Sequence, residues 1–486
     1  MTCVLVMLAG AATAHASSTP VGTGDLPSAV TDRDGTTHVV WLEANAGNTA
    51  DTVTYCQIPR GSVTCASTQH LVPKCGDGTT LAPSRHRLAG GNLDGDGPKV
   101  SVSPFGDVYV VTHGTCPIDW NTSIDPWHSE HGIDREVVFH STDAGATFAV
   151  EGGEARARGS RQSASYADPS DTSTSSTVYD AADTRLVTAM IPDSSGYHCC
   201  DGVDTGVYVL GRQDRLIVQD PSPPSTAEMQ KGLLAPTYIG NQAHLQGGAP
   251  SLVQRARGSF AVAYAGYGSN GGGTVFIRTF DCAACALNAI SDAANWGPEI
   301  AFPAEDGSSA MQAGPRSPQL VSGPAGTFVL YEDDSFNGPN GSTIHQFWIR
   351  KLDGNTLGPR HLVISRPSEA NHQGPTGQLV EDGATGRLHV IYTTHPQSAQ
   401  VATTEYVASD DAGASWASPV QLGTLPAVQS SNYFSEGTEA LSLSTGDQGF
   451  TGLVVRSGLP TTDNSGHEAR GIYVDALPGS GQGGGG

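Results

Sequence analysis

Basic residues are scarce in this chain: 25 Lys and Arg stand against 48 Asp and Glu in 486 residues, for a formal net charge of −23. A field of that sign repels nucleic acid and anionic lipid, so no nucleic-acid partner is expected, and it favours solubility and cation binding. Charge of either sign is sparse as well, at 15% of residues, whereas glycine (61) and proline (30) are plentiful. Such a composition excludes long helices and suits many short strands joined by turns. Beyond the first sixteen residues there is no run of about 18 apolar residues to span a bilayer.

Those first sixteen residues, "MTCVLVMLAGAATAHA", form an apolar stretch ending in Ala-His-Ala before Ser17. They have the length and small-residue ending of a signal peptide, without its basic n-region, and predict export. Eight cysteines follow Cys3: Cys56, Cys65, Cys75, Cys116, Cys199, Cys200, Cys282 and Cys285. An even count fits four disulfides in an oxidising compartment. Cys56 with Cys65 would close a hairpin, and Cys282 with Cys285 a tight turn, favoured over zinc because no second Cys-x-x-Cys accompanies it. Adjacent Cys199 and Cys200 either bridge each other or bond to different partners.

A strand-like phrase recurs along the chain: "GTTHVVW" at 35, "GDVYVVT" at 106, "TRLVTAM" at 184, "GSFAVAY" at 258, "GTFVLYE" at 326, "GRLHVIY" at 386 and "FTGLVVR" at 450. Shorter apolar stretches precede the copies, such as "KVSV" from 99 and "PQLV" from 318, with turn residues between, which is a hairpin signature. A third strand follows each copy, from "DTVTYCQ" at 51 to "ARGIYVD" at 469. Seven units of roughly 60 to 80 residues, each a small antiparallel sheet, predict an all-β fold. The expected architecture is a β-propeller of four-stranded blades, seven favoured and six the runner-up. The third unit is the least regular. The seventh lacks a fourth strand, which "STPVGTGD" near residue 20 would supply, closing the ring and removing an exposed edge. The expected domains are a leader at 1–16, a propeller at 17–478, and a flexible glycine-rich tail at 479–486.

Two turns repeat: "STDAGATF" at 141 and "SDDAGASW" at 409, each directly after a third strand. The aspartate can accept backbone N–H bonds across the turn, the glycine permits positive φ, and the ring packs between sheets. Both resemble the Asp-box, or BNR repeat, of the sialidase superfamily, Ser-x-Asp-x-Gly-x-Thr-Trp, with Phe for Trp in one and Ser for Thr in the other. The resemblance implies the superfamily's propeller, in which the boxes lie away from the active site, so Asp143 and Asp411 are expected to be structural.

By the same resemblance, the site lies on the face where innermost strands begin and second strands end. That face would collect Asp25, Asp96, Lys99, Arg316, His372 and Glu436 with Glu43, His113, Glu332, Asp333, Asp334, His395 and Arg456. A sialidase grips a carboxylate with three arginines and uses an acid/base aspartate and a tyrosine nucleophile paired with a glutamate. Here Arg316 in "GPRSPQL" has the Arg-x-Pro shape, Asp51 falls near the acid/base aspartate, and Tyr433 with Glu436 or Glu439 would form the nucleophile pair. Where the family opens its first blade on Phe/Tyr-Arg-Ile-Pro, this chain reads "DLPSAV" from Asp25, a reversal of charge. His372 and His395 suggest instead the proton transfer of related propellers that are lyases or rhamnosidases on uronic-acid glycans.

Asn92, Asp94 and Asp96 in "NLDGDG" alternate like the start of a Ca²⁺ loop, although Ser103 holds the twelfth position, where a bidentate acid is expected. In "DPWHSEHGID", His128, Glu130, His131 and Asp134 lack zincin spacing and read as a polar loop. The expected protein is therefore a secreted, monomeric, sialidase-like propeller directed at carbohydrate, a glycoside hydrolase without organic cofactor. The alternatives are a non-catalytic glycan- or protein-binding propeller, a uronate polysaccharide lyase, and a surface module.

Overall fold

The computed structural model describes residues 18–44, 51–72, 98–116, 133–150, 154–156, 174–180, 185–191, 205–211, 217–218, 240–243, 250–267, 273–282, 285, 289–290, 292–303, 316–333, 344–367, 377–394, 401–426, 439–446, 449–458 and 471–478. Their regular structure is strand apart from short 3₁₀ segments, with turns between, and the fold is an all-β propeller of antiparallel meanders.

The first strands Asp25–Thr31, Lys99–Val102, Thr174–Asp180, Ser251–Ala256, Arg316–Gly323, Gly377–Glu381 and Glu439–Gly446 neighbour one another in that order, and the last returns to the first. From each, the chain runs outward through antiparallel strands. Hydrogen bonding divides the strands into six sheets, one of them eight-stranded. In that sheet, the meander from Thr174–Asp180 and the meander from Ser251–Ala256 are joined by Gly240–Ala243, which pairs with both. This irregular join falls in the third unit, the least regular in sequence.

Period-2 geometry explains why the recurrent phrases are apolar at consecutive positions. In Thr37–Ala44, Val39 and Trp41 pack with Leu453, Val455, Ile472 and Val474 of the last sheet, while Val40 and Leu42 pack with Val100, Val108 and Phe139 of the next. Val329 and Tyr331 likewise face Ala263, Ile277 and Phe302, whereas Phe328 and Leu330 face Leu388, Val390 and Tyr392. Each second strand thus serves two cores, one per seam, and neither of its faces meets water.

Ring closure is as expected. Thr19–Thr23 pairs antiparallel with Gly471–Ala476 as the outermost strand of the last sheet. Beside this junction the buried Arg456 guanidinium pairs with Asp475 and donates to Thr404 Oγ1 at 2.7 Å and Ser18 Oγ at 2.6 Å. Of the expected disulfides, Cys56–Cys65 and Cys282–Cys285 are formed. Cys75, Cys199 and Cys200 lie outside the described residues, as does the Cys116 side chain.

The two repeated turns are built alike. Ser141 donates its hydroxyl to Asp143 (2.7 Å) and accepts from the Gly145 amide (2.7 Å); Ser409 does the same with Asp411 (2.8 Å) and Gly413 (2.9 Å). Asp143 then accepts from the Thr147 amide and hydroxyl, and Asp411 from those of Ser415. These hydroxyls hold both carboxyls down at about 2. Ala144 and Ala412 are left-handed, at φ 54° and 57°, and Gly145 and Gly413 follow at 87° and 85°. Phe148 meets Tyr55 edge-on at 4.7 Å, and Trp416 packs on the core shared by the fifth and sixth units, so each ring packs at the seam with the preceding unit.

Candidate functional site

Because the first strands neighbour one another around the ring, their starts share one face with the ends of the second strands. Two of these starts carry the same backbone irregularity. Asp25-Leu26-Pro27-Ser28 and Arg316-Ser317-Pro318-Gln319 each contain a register shift, between Asp25 and Ser28 and between Arg316 and Gln319. In each, the residue before proline is left-handed, Leu26 at φ 54° and Ser317 at 48°. A pre-proline residue is ordinarily extended, and a side chain in the left-handed region costs about 1–2 kcal/mol. With Ala144 and Ala412, these make up the positive-φ non-glycine residues among those described, so all four belong to one or the other repeated device. The charge reversal seen in sequence thus sits on a shared backbone form, with Asp25 opening the first unit and Arg316 the fifth.

Arg316 lies opposite Glu332 in register. Glu332 is buried, and so is Asp333, whose amide donates to the Gln346 carbonyl at 3.0 Å and whose carboxylate is 3.4 Å from Arg360 Nη1. In the first unit, Asp51 opens the third strand opposite Ala44, one position from the Glu43–Thr52 pair. Glu43 is half-buried and accepts from Thr54 Oγ1 at 2.8 Å and Thr23 Oγ1 at 3.3 Å, with His70 Nδ1 3.6 Å away. Arg456, expected on this face, stands opposite Glu439 at the opening of the last unit, and its buried guanidinium is held by Asp475, Thr404 and Ser18.

Asp51 and Arg316 are therefore placed as strand positions, their side chains lying outside the described set together with those of Asp25 and His113. Tyr433, Glu436, His372 and His395 lie outside the described residues, as do Asn92, Asp94, Asp96, Asp334 and the loop holding His128, Glu130 and His131. Among the described residues, no group of three or more His, Cys, Asp and Glu is arranged to hold a metal, and no helix is long and apolar enough to cross a membrane.

Sequence reasoning missed the pre-proline strain, although its signal, an X-Pro step at the opening of a first strand, is visible in both copies. It also missed a cluster at the outer edge of the fifth unit. There Arg360 stacks 4.0 Å from the Trp348 ring centroid, and Arg350 lies 5.6 Å from that of Phe302 while donating from Nε to the Tyr331 hydroxyl at 3.3 Å. Burial pushes the Tyr331 phenol up, against the pull of the Arg350 charge.

No family model matches the sequence, and the search of curated proteins returned no match. Solved structures do align with it. An α-L-arabinanase of Penicillium chrysogenum complexed with arabinobiose is 12% identical, covers 95% of this chain and 98% of its own, and superposes with a TM-score of 0.45. The NanB sialidase of Streptococcus pneumoniae is 11% identical over 88% of this chain and 72% of its own, with a TM-score of 0.32. The Aleuria aurantia lectin, a six-bladed propeller with a novel mode of fucose recognition, is 11% identical over 80% and 97%, with a TM-score of 0.36.

Proposed function

We propose that this protein is a secreted propeller acting on carbohydrate, a glycoside hydrolase whose site lies on the face where the first strands begin. The observation that carries this reading is the paired pre-proline bulge at Asp25–Ser28 and Arg316–Gln319. Strain in the same form at two strand openings, held by the surrounding sheets, is characteristic of positions that present groups to a ligand. Glu43, Glu332 and Asp333 reach the same face from second-strand ends, which supplies the carboxylates that glycosidic cleavage requires. In this reading Arg316 binds an acidic group of the substrate, Asp51 is the acid/base, and Tyr433 with Glu436 is the nucleophile pair. His372 and His395 would carry proton transfer if the reaction is elimination. Asn92, Asp94 and Asp96 form the calcium loop. The eight-stranded sheet counts as two blades, giving seven, and the disulfides Cys56–Cys65 and Cys282–Cys285 fit an exported chain.

The test is activity of the purified protein on sialosides, other aryl glycosides and uronate polysaccharides, with and without Ca²⁺, following reducing ends and unsaturated-uronate absorbance together. Reducing ends without unsaturation, lost in Asp51→Asn and Arg316→Gln, support hydrolysis. Unsaturation overturns the hydrolase in favour of a lyase, and binding without turnover leaves a lectin-like propeller.

A further inference from the structure

The fifth unit carries basic residues against the sign of the chain. Its strands Ile344–Asp353 and Thr356–Pro367 hold Arg350, Lys351, Arg360 and Arg366 with one acid, Asp353, in a protein of net charge −23. Arg350 and Arg360 are directly opposed across the two strands, an arrangement in which like charges repel. Each guanidinium rests on a ring, Arg350 on Phe302 and Arg360 on Trp348. Phe302 belongs to Ile300–Pro303 of the neighbouring unit, so the pair spans the outer end of a seam. Asp333 lies 3.4 Å from Arg360, whose side chain is still 28% exposed. Stacking fixes the orientation of a guanidinium, whose planar fork matches a carboxylate with two parallel hydrogen bonds.

We propose that Arg350 and Arg360 form a docking site for the carboxylates of an acidic glycan, beside the face where the first strands begin and joined to it through Asp333. The proposal rests on the carbohydrate-directed reading above. A uronate chain fits this surface because it alternates carboxylates with apolar sugar faces. Leu362, opposite Trp348 in register and 42% exposed, offers such a face a partner. A nucleic acid fits less well, since its dense phosphates would meet the acidic remainder of the protein.

Titration calorimetry of the intact protein with oligogalacturonate, its methyl ester and a duplex oligonucleotide tests this, using wild type, Arg360→Gln, Arg360→Lys and Lys351→Gln. Lys351 is the control: its ammonium lies over Phe328, in the core on the other side of the sheet, yet its replacement removes the same charge. The wild type is expected to bind the free acid, more weakly as salt rises, and not the ester. Arg360→Gln weakens binding at least about tenfold, Arg360→Lys nearly as much because the fork is gone, and Lys351→Gln by less than about twofold. Thermal melts check folding, and Arg360→Lys decides the matter if Arg360→Gln is unstable. Failure of the wild type to bind, equal binding of the ester or the oligonucleotide, unchanged binding in Arg360→Lys, or an equal loss in Lys351→Gln overturns the site. Glycan cleavage without uronate docking keeps the proposed function and removes this inference. Docking without cleavage of any glycan does the reverse.

Discussion

His389 Nδ1 lies 2.8 Å from the Tyr406 hydroxyl, and the relationship is repeated between His38 and Tyr55 at 2.6 Å, with both ring pairs inclined by 27°. Each pair joins the second and third strands of its unit, in the sixth and first units respectively. Burial, reinforced by the Arg387 charge, pushes the His389 imidazole down to about 4.

That depression makes stability depend on pH in a defined direction. The unfolded ring titrates near 6.5, so the neutral buried ring stabilises the fold above that pH, and the contribution is lost as pH falls from about 6.5 towards 4. The full effect is on the order of 3 kcal/mol. Urea unfolding at about pH 7 and about pH 4.5 is expected to show a smaller acid loss in His389→Gln than in wild type. Equal losses would remove His389 as the source.

The repeated turns predict a contrast between two glycines. A Cβ on Gly145 would stand 1.9 Å from the Tyr55 hydroxyl at a positive φ, whereas one on Gly106, also at positive φ, meets nothing within 4 Å. Gly145→Ala is expected to cost about 2–4 kcal/mol, and Gly106→Ala about 1–2, from backbone strain alone. Chemical denaturation of the two variants measures the difference, and equal costs would mean that the turn does not depend on its seat against Tyr55.

The closing seam predicts a large effect from one charge. Arg456→Met leaves Asp475 buried without its guanidinium and is expected to destabilise by about 3–5 kcal/mol. Adding Asp475→Asn should recover part of that loss. A double-mutant cycle in urea gives the coupling, and additive losses would show that the two groups act independently.

The strained opening of the fifth unit predicts opposite changes in stability and function. Ser317→Gly relieves a left-handed non-glycine residue and is expected to gain up to about 1 kcal/mol while lowering turnover or glycan affinity. A more stable variant with unchanged activity would argue that the bulge at Arg316 is scaffold only.

Much of this architecture is legible in sequence, for physical reasons that differ from element to element. Val39, Val40, Trp41 and Leu42 are apolar in succession because both faces of that strand are buried, so the repeat announces itself. Closure is readable because the last unit is one strand short. The turns at Ser141 and Ser409 are readable because the serine and aspartate hydrogen bonds that shape them run between residues at most four apart. The His–Tyr pairs and the opposed arginines are not, because they exist only through register. Tyr55 comes beneath His38 once His38 is set opposite Gln57, and irregularities around Phe347–Leu352 decide which side Arg350 takes. For the candidate site, sequence places Asp51 and Arg316 at strand openings, which is where they stand. Convergence of these side chains with Tyr433, Glu436, His372 and His395 depends on long connections that carry no periodic signal.

Pairing Thr19–Thr23 with Gly471–Ala476 sets the order of assembly: of the described strands, the first in sequence waits for a partner that is made last. Throughout translation the early strand has no partner, the socket at Arg456 does not yet exist for Ser18, and Val39 and Trp41 of the first sheet lack the face of the last sheet that covers them. A nascent chain stopped before residue 471 therefore cannot hide as a nearly finished one. It keeps Thr19–Thr23 unpaired and an apolar face of its first sheet uncovered, two marks that the closed ring lacks.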